Sequence, residues 1–203
     1  MKWLITILAG ASLALAACGG KLATVEPVRY DLGSLTGNGA GSRIPIAAID
    51  VRAAPWLSES AMHFRLAYAE PLRRRTYAES RWAAPPAELL EAFLTRRIIF
   101  GQPDFSGTGC RLQLVVDEFE QRFDDLQQSY AVLEVRALLS PLRGDEMLSK
   151  REFQVRKPAP TADARGGAAA ARDAAQALAD DLGNWLGEIS RDRPAIVDRC
   201  RTT

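Results

Sequence analysis

The sequence predicts an α+β fold, in which a mostly antiparallel sheet of about five to six strands carries two amphipathic helices on one face. Three observations predict it. Met62 to Tyr68 alternate apolar and polar side chains with the period of a half-buried strand. Cys110 to Phe123 and Gln127 to Leu139 repeat that pattern over longer runs separated by Asp124-Asp125. Two other stretches, around Leu89 to Ile98 and Ala171 to Ile189, place apolar residues at helical spacing instead.

Taken in order, Ile44 to Ala53 is rich in Ile and Val and stops at Pro55, which makes a first strand. In the next, Met62, Phe64, Leu66 and Tyr68 share one face, leaving His63 and Arg65 on the other. Glu70-Pro71 turns the chain, and Leu72 to Glu79 returns as the second arm of a hairpin. Its Arg73-Arg74-Arg75 run reads as a solvated strand edge, where charge blunts edge-to-edge pairing. Pro85-Pro86 then opens a helix with Glu88 and Glu91 near its positive end, Arg96 and Arg97 near its negative end, and Gly101 to stop it. Leu89, Leu90, Phe93, Leu94 and Ile98 form its apolar stripe.

The strand from Cys110 turns Leu112, Leu114 and Val116 inward, and the strand from Gln127 does the same with Leu133, Val135, Ala137 and Leu139. Pro141, Gly144 and Asp145 turn the chain into Met147 to Arg156. After a Pro/Ala/Gly loop, Ala168 to Ser190 reads as an Ala-rich helix ended by Arg191, Arg193 and Pro194.

The first residues are not part of that fold. Met1-Lys2-Trp3 and an apolar run from Leu4 to Ala17 have the basic start and short apolar core of a secretory signal, too short to span a membrane comfortably. Leu15-Ala16-Ala17-Cys18 has the form of a bacterial lipobox, in which small residues admit a signal peptidase to the bond before a diacylglycerol-modified cysteine. Residues 1–17 are therefore expected to be a lipoprotein signal peptide, and Cys18 the lipidation site, carrying a covalent diacylglycerol and an N-acyl chain. Several acyl chains anchor firmly where one binds only marginally. The next residue is Gly19, where Asp would favour retention at the inner membrane. The expected place is the outer membrane, lipid-anchored, on its periplasmic face.

Residues 18–43 are expected to form a flexible tether, since the Gly-rich stretch from Gly33 to Ser42 cannot bury enough surface to offset its ordering entropy. Gly37, Gly39 and Gly41 do not follow a strand and open a helix, so a phosphate loop is weakly supported. Residues 44–203 make up the domain. With Cys18 committed to lipid, Cys110 and Cys200 remain, and an oxidising compartment predicts that they pair. Two separate thiols are the alternative.

Composition narrows the function. The chain has 203 residues, 47% of them hydrophobic, with 26 Lys+Arg against 25 Asp+Glu. That excludes intrinsic disorder and argues against nucleic-acid binding, which needs a basic excess. One His and three Cys leave little material for a metal site, and none is expected. His63 reads as a solvent-exposed imidazole without a positioned nucleophile. The acidic group Asp117, Glu118, Glu120, Asp124 and Asp125 lacks EF-hand spacing and reads as a solvated hairpin end. No catalytic residues are assigned and a non-enzymatic role is expected.

The lipobox, the lead Arg29-Tyr30-Asp31-Leu32-Gly33, the strand Ile49-Asp50-Val51 to Ala54-Pro55, Met62 with Phe64-Arg65, and the block from Tyr77 through Arg81-Trp82-Ala83-Ala84-Pro85-Pro86 to Leu89-Leu90 together resemble the ABC-type transport auxiliary lipoprotein family. The resemblance implies a non-enzymatic component of an intermembrane lipid transport system, working beside an MCE-domain membrane protein and an ABC permease and ATPase. It also leaves room for a homo-oligomeric ring. Of the family's functional positions Cys18 alone carries over. Trp82, Pro85 and Pro86 are a candidate partner surface, with packing of Trp82 at the helix entry as the alternative. Two other classes stay open: an envelope-assembly lipoprotein supporting lipopolysaccharide or outer-membrane protein insertion through its sheet edges, and a lipid-binding carrier holding an acyl chain between helices and sheet.

Overall fold

The computed structural model describes residues 26–33, 44–99, 109–144 and 146–201. Seven strands form one sheet: β1 (Val28–Tyr30), β2 (Ile46–Ala53), β3 (Ala61–Leu66), β4 (Arg75–Trp82), β5 (Cys110–Phe123), β6 (Ser129–Pro141) and β7 (Ser149–Pro158). Among the described residues three α-helices accompany it: α1 (Pro86–Leu94), which widens into a π turn over Thr95–Ile99, α2 (Ala164–Asp192) and α3 (Pro194–Arg201). The α+β expectation therefore holds at the level of class.

The sheet has seven strands rather than five to six, and it is mixed: its two longest ladders are antiparallel as expected, but three others are parallel. Its order is β1-β4-β3-β5-β6-β7, and β2 shares an edge of β5 with β3. β2 runs parallel to β5 along Cys110–Val116, and β3 runs parallel to it along Gln121–Phe123, so one long strand serves two shorter ones end to end. Antiparallel pairing links β3 to β4, β5 to β6 and β6 to β7. The parallel ladders arise because α1 is a crossover: it carries the chain from the end of β4 back to start β5 in the direction of β2 and β3. Side-chain periodicity reports faces and not strand direction, which is why the sequence did not reveal this.

The inward face was readable. Leu112, Leu114 and Val116 on β5, and Leu133, Val135, Ala137 and Leu139 on β6, are all buried in one core with Leu90, Leu178 and Trp185 of the helices. The pattern then breaks. A bulge between Val116 and Glu118 leaves Asp117 over and flips the alternation, so Phe119, Gln121 and Phe123 turn inward while Glu118 and Glu120 turn to the open face.

Two parts of the chain join the fold against expectation. β1, assigned to the tether by its composition, pairs in parallel with Ser80–Trp82, and Leu32 just after it is buried. Three residues are too few to show a period, but an edge position in an existing sheet suffices to order them. At the other end, Pro194 both stops α2 and starts α3, because its fixed φ suits the first turn of a helix. The Gly37, Gly39 and Gly41 stretch lies outside the described residues.

The small residues of α2 set its distance from the sheet. Asp163 caps the helix, its carboxylate accepting from the Gly166 N–H at 2.7 Å. At Gly167 an added Cβ would come within 2.0 Å of Gln121 Oε1, so glycine permits the close approach. Beneath it the Tyr77 hydroxyl donates to Gln121 Oε1 at 2.8 Å, and Gln121 Nε2 donates to Ser129 Oγ at 2.8 Å. Burial pushes the Tyr77 phenol well above its ordinary pKa, with the charge of Asp163 adding to the effect.

Candidate functional site

The expected lipidation site, Cys18, lies outside the described residues. Cys110 and Cys200 form a disulfide, with Cα atoms 4.8 Å apart and 90 residues of separation. Both are fully buried. The bond ties the first residue of β5 to α3, making this short C-terminal helix part of the domain.

Trp82 faces inward. Its side chain is 4% exposed and its ring centroid lies 5.1 Å from that of Phe119. The Trp82 N–H donates to the Ser60 carbonyl at 2.7 Å, fixing the end of β4. Pro86 is buried at the start of α1 and Pro85 is half-buried. The block thus sets the entry angle of the helix, which is the packing alternative, and the indole offers no surface to a partner. Glu91 of α1 accepts from the Val51 N–H at 2.9 Å, so the helix also occupies part of the other edge of β2.

The open face of the sheet carries the most concentrated charge. The Glu120 side chain is 0% exposed and accepts from Arg65 Nε at 2.9 Å, Arg74 Nη1 at 3.1 Å and Arg122 Nε at 2.7 Å. Glu118 accepts from Arg74 Nη2 at 2.7 Å and from Arg65 Nη2 at 3.5 Å. Burial works against the Arg122 charge, but the bond to Glu120 together with the charges of Glu120, Glu134 and Glu118 outweighs it, and its pKa stands above the ordinary guanidinium value. Arg74 also lies over the half-exposed Trp56 ring, 5.7 Å from its centroid. The arginine run is therefore no solvated edge. Arg74 is held by two carboxylates, and Arg75 and Arg73 pair with Glu70.

His63 lies beside this cluster and is half-buried, where the sequence placed it in solvent. Burial holds its pKa below the ordinary imidazole value, and the charge of Arg74 lowers it further. The acidic residues grouped in the sequence do not converge. Asp117 pairs with Arg136 through two 2.7 Å bonds, and Asp125 accepts from the Gln127 and Gln128 N–H groups in the β5–β6 turn. Among the described residues no group of His, Cys, Asp and Glu is placed to hold a metal ion.

This cluster was hidden from sequence for a physical reason. Glu118 and Glu120 face the arginines only because the bulge at Asp117 resets the alternation, and the arginines come from β3 (Arg65), the turn just before β4 (Arg74) and β5 itself (Arg122). An apolar run interrupted by alternating Glu residues in the middle of β5 was the available signal.

A space of about 10 Å³ lies between α2 and the sheet near Tyr77, Phe119 and Ala171. It is of the size of one water molecule's minimal cavity, so an acyl chain does not fit there.

A model of the family described as the ABC-type transport auxiliary lipoprotein component matches residues 50–183. The chain belongs to this family. The matched span begins within β2 and ends within α2, so it includes the Glu118–Glu120 cluster and Cys110 and leaves out Cys200. Among curated proteins no sequence matches this auxiliary lipoprotein. Its fold is similar to the crystal structure of a DUF330-family protein from Xanthomonas campestris, with a TM-score of 0.69 and 19% identity, covering 83% of this chain and 99% of that one. It is also similar to a second crystal structure, titled only as an uncharacterised protein, with a TM-score of 0.60 and 13% identity, covering 79% of this chain and 99% of the other. At these identities the likeness concerns the fold. Among the described residues no helix is long and apolar enough to cross a membrane.

Proposed function

We propose that this protein is an outer-membrane-anchored periplasmic lipoprotein, acting as a non-enzymatic auxiliary component of an MCE/ABC-type intermembrane lipid transport system. The observation that carries the reading is the pairing of a lipobox at Leu15–Cys18 with an auxiliary-component domain over residues 50–183. Acylation at Cys18 supplies the anchor, and Gly19 in place of Asp favours the outer membrane. The domain then works by contact, with an MCE-domain membrane protein and the ABC permease and ATPase as its partners, alone or as a homo-oligomer.

The chemistry of the described residues agrees with a binding role. Burial and the charge of Arg74 lower the His63 pKa and favour its neutral form, and the buried carboxylates are engaged by arginines rather than aimed into a cleft. The carrier alternative is disfavoured by the filled contact between α2 and the sheet. Affinity capture of the acylated protein from detergent-solubilised envelopes tests the proposal. Recovery of an MCE-domain protein with the permease and ATPase supports it, and recovery of barrel-assembly or lipopolysaccharide-export components alone overturns it in favour of envelope assembly.

A further inference from the structure

β3 ends at Leu66, whose partner on β5 is Phe123, and the Ala67 N–H donates to the Phe123 carbonyl at 2.9 Å. The β3–β4 and β5–β6 turns therefore leave the sheet side by side at one end. Both present apolar side chains outward: Leu72 is 93% exposed, Leu126 79% and Tyr68 45%. These are three of the six large apolar side chains left exposed among the described residues. Single exposed leucines need no explanation, but a group at the tips of two adjacent turns, where polar residues are usual, does.

Hydrogen bonds hold the turns in shape. The Glu70 N–H donates to the Leu66 carbonyl at 2.8 Å and the Arg73 N–H to the Glu70 carbonyl at 3.0 Å. In the neighbouring turn the Asp124 N–H donates to the Gln128 carbonyl at 3.0 Å, with Asp125 bonded to two further N–H groups. The leucines are thus displayed by ordered backbone.

The course of the chain says what this end faces. β1 is parallel to β4, so going backwards from Val28 the chain heads toward the start of β4, the end that carries the turns. From the level of Ser80 back to Arg75 is about 17 Å of strand. The link from Cys18 to Val28 spans at most about 33–36 Å when extended. That length reaches past the turns with slack. To bring the other end of the sheet to the anchor, the link would have to reverse and run about 30 Å back to the level of Cys110, leaving almost none.

Glu70 pairs with both Arg73 and Arg75, Asp124 and Asp125 lie in the neighbouring turn, and Arg156 and Lys157 stand close by near the end of β7, so the charges at this end are mixed in sign. A surface of low net charge suits them. We infer that the paired turns bearing Tyr68, Leu72 and Leu126 are a membrane-contact tip, which rests its apolar side chains in the headgroup region of the zwitterionic lipid surface to which Cys18 is anchored. The inference rests on the lipid-anchor part of the proposed function and adds the orientation of the domain.

Nitroxide labels on the mature acylated chain, at Leu126→Cys and separately at Met147→Cys, test it in phosphatidylethanolamine–phosphatidylcholine vesicles, the native Cys110–Cys200 bond being kept oxidised. The readout is relaxation by oxygen, which enters the bilayer, against relaxation by a water-soluble nickel complex. The expected result is a several-fold lower nickel accessibility with raised oxygen accessibility at 126, and water-like values at 147. Leu72→Asp in the 126-labelled chain should return the label to water-like values while the protein still sediments with the vesicles. Sedimentation with water-like values at 126 overturns the tip and leaves the anchor intact. Low accessibility to both reagents at 126 overturns it in favour of contact with a second copy. Failure to sediment overturns the anchor reading and the tip with it.

Discussion

Reducing the Cys110–Cys200 bond should cost this domain a large share of its stability, and the structure fixes how much. The crosslink closes 90 residues, which in the chain-entropy model restricts the unfolded chain by about 4–5 kcal/mol. The native side loses little in compensation, because both sulfurs are buried and remain packed after reduction. Against a total of about 5–15 kcal/mol for an ordinary domain, that is roughly a quarter or more. For a domain of this size it corresponds to a fall in Tm of about 8–20 °C. Urea unfolding of oxidised and reduced protein, followed by far-ultraviolet circular dichroism, measures it directly. A second signature accompanies the loss. α3 has eight residues and buries Val197 and Cys200, too little to hold a helix of that length alone, so hydrogen exchange in 194–201 should rise first on reduction. A difference under about 1 kcal/mol, or two free thiols titrated in the unreduced denatured protein, would refute the reasoning.

Glu120→Gln should cost about 3–5 kcal/mol in urea unfolding, because it leaves Arg65, Arg74 and Arg122 with one carboxylate in a largely dry setting. Asp117→Asn breaks the well-exposed pair with Arg136 and should cost under about 1 kcal/mol, and equal losses in the two variants would sink the distinction. Gly167→Ala should be destabilising despite the better helix propensity of alanine: the new Cβ displaces Gln121 from Tyr77 and Ser129, at about 1–3 kcal/mol against a gain near 1. A stabilised variant would contradict the close approach of α2. His63 has a folded pKa below the unfolded one, so the unfolded state binds the proton more tightly; its contribution to stability is full above about pH 6.5 and is lost as the pH falls toward the folded pKa. Stability measured from pH 7.5 to 5 should therefore decline less steeply in His63→Gln, and identical slopes would show that this imidazole is not the group responsible.

How far the sequence carried depended on how local each feature is. β5 was legible residue for residue from Cys110 to Phe123, and the inward faces of β5 and β6 followed from alternation. The pairing of two cysteines could be argued from compartment and elimination. The parallel course of β2 and β3 along β5 could not, since it depends on where α1 returns the chain. The Glu118–Glu120 cluster needed the bulge at Asp117, a shift of one residue that no period contains. Trp82 looked like a partner anchor by residue type, yet it packs on Phe119, which is inward for the same reason, as the first inward position after that bulge. β1 and α3 were missed because each is shorter than the window in which a pattern can be counted.

The central claim is a part in moving lipid between two membranes, and the most direct measurement is a pulse–chase of labelled phospholipid between separated inner and outer membranes, in cells with and without this protein. The account predicts a several-fold slower exchange when it is removed, restored by the wild-type chain and not by Cys18→Ser. Unchanged exchange in cells that instead fail to assemble outer-membrane barrels or to export lipopolysaccharide would contradict it.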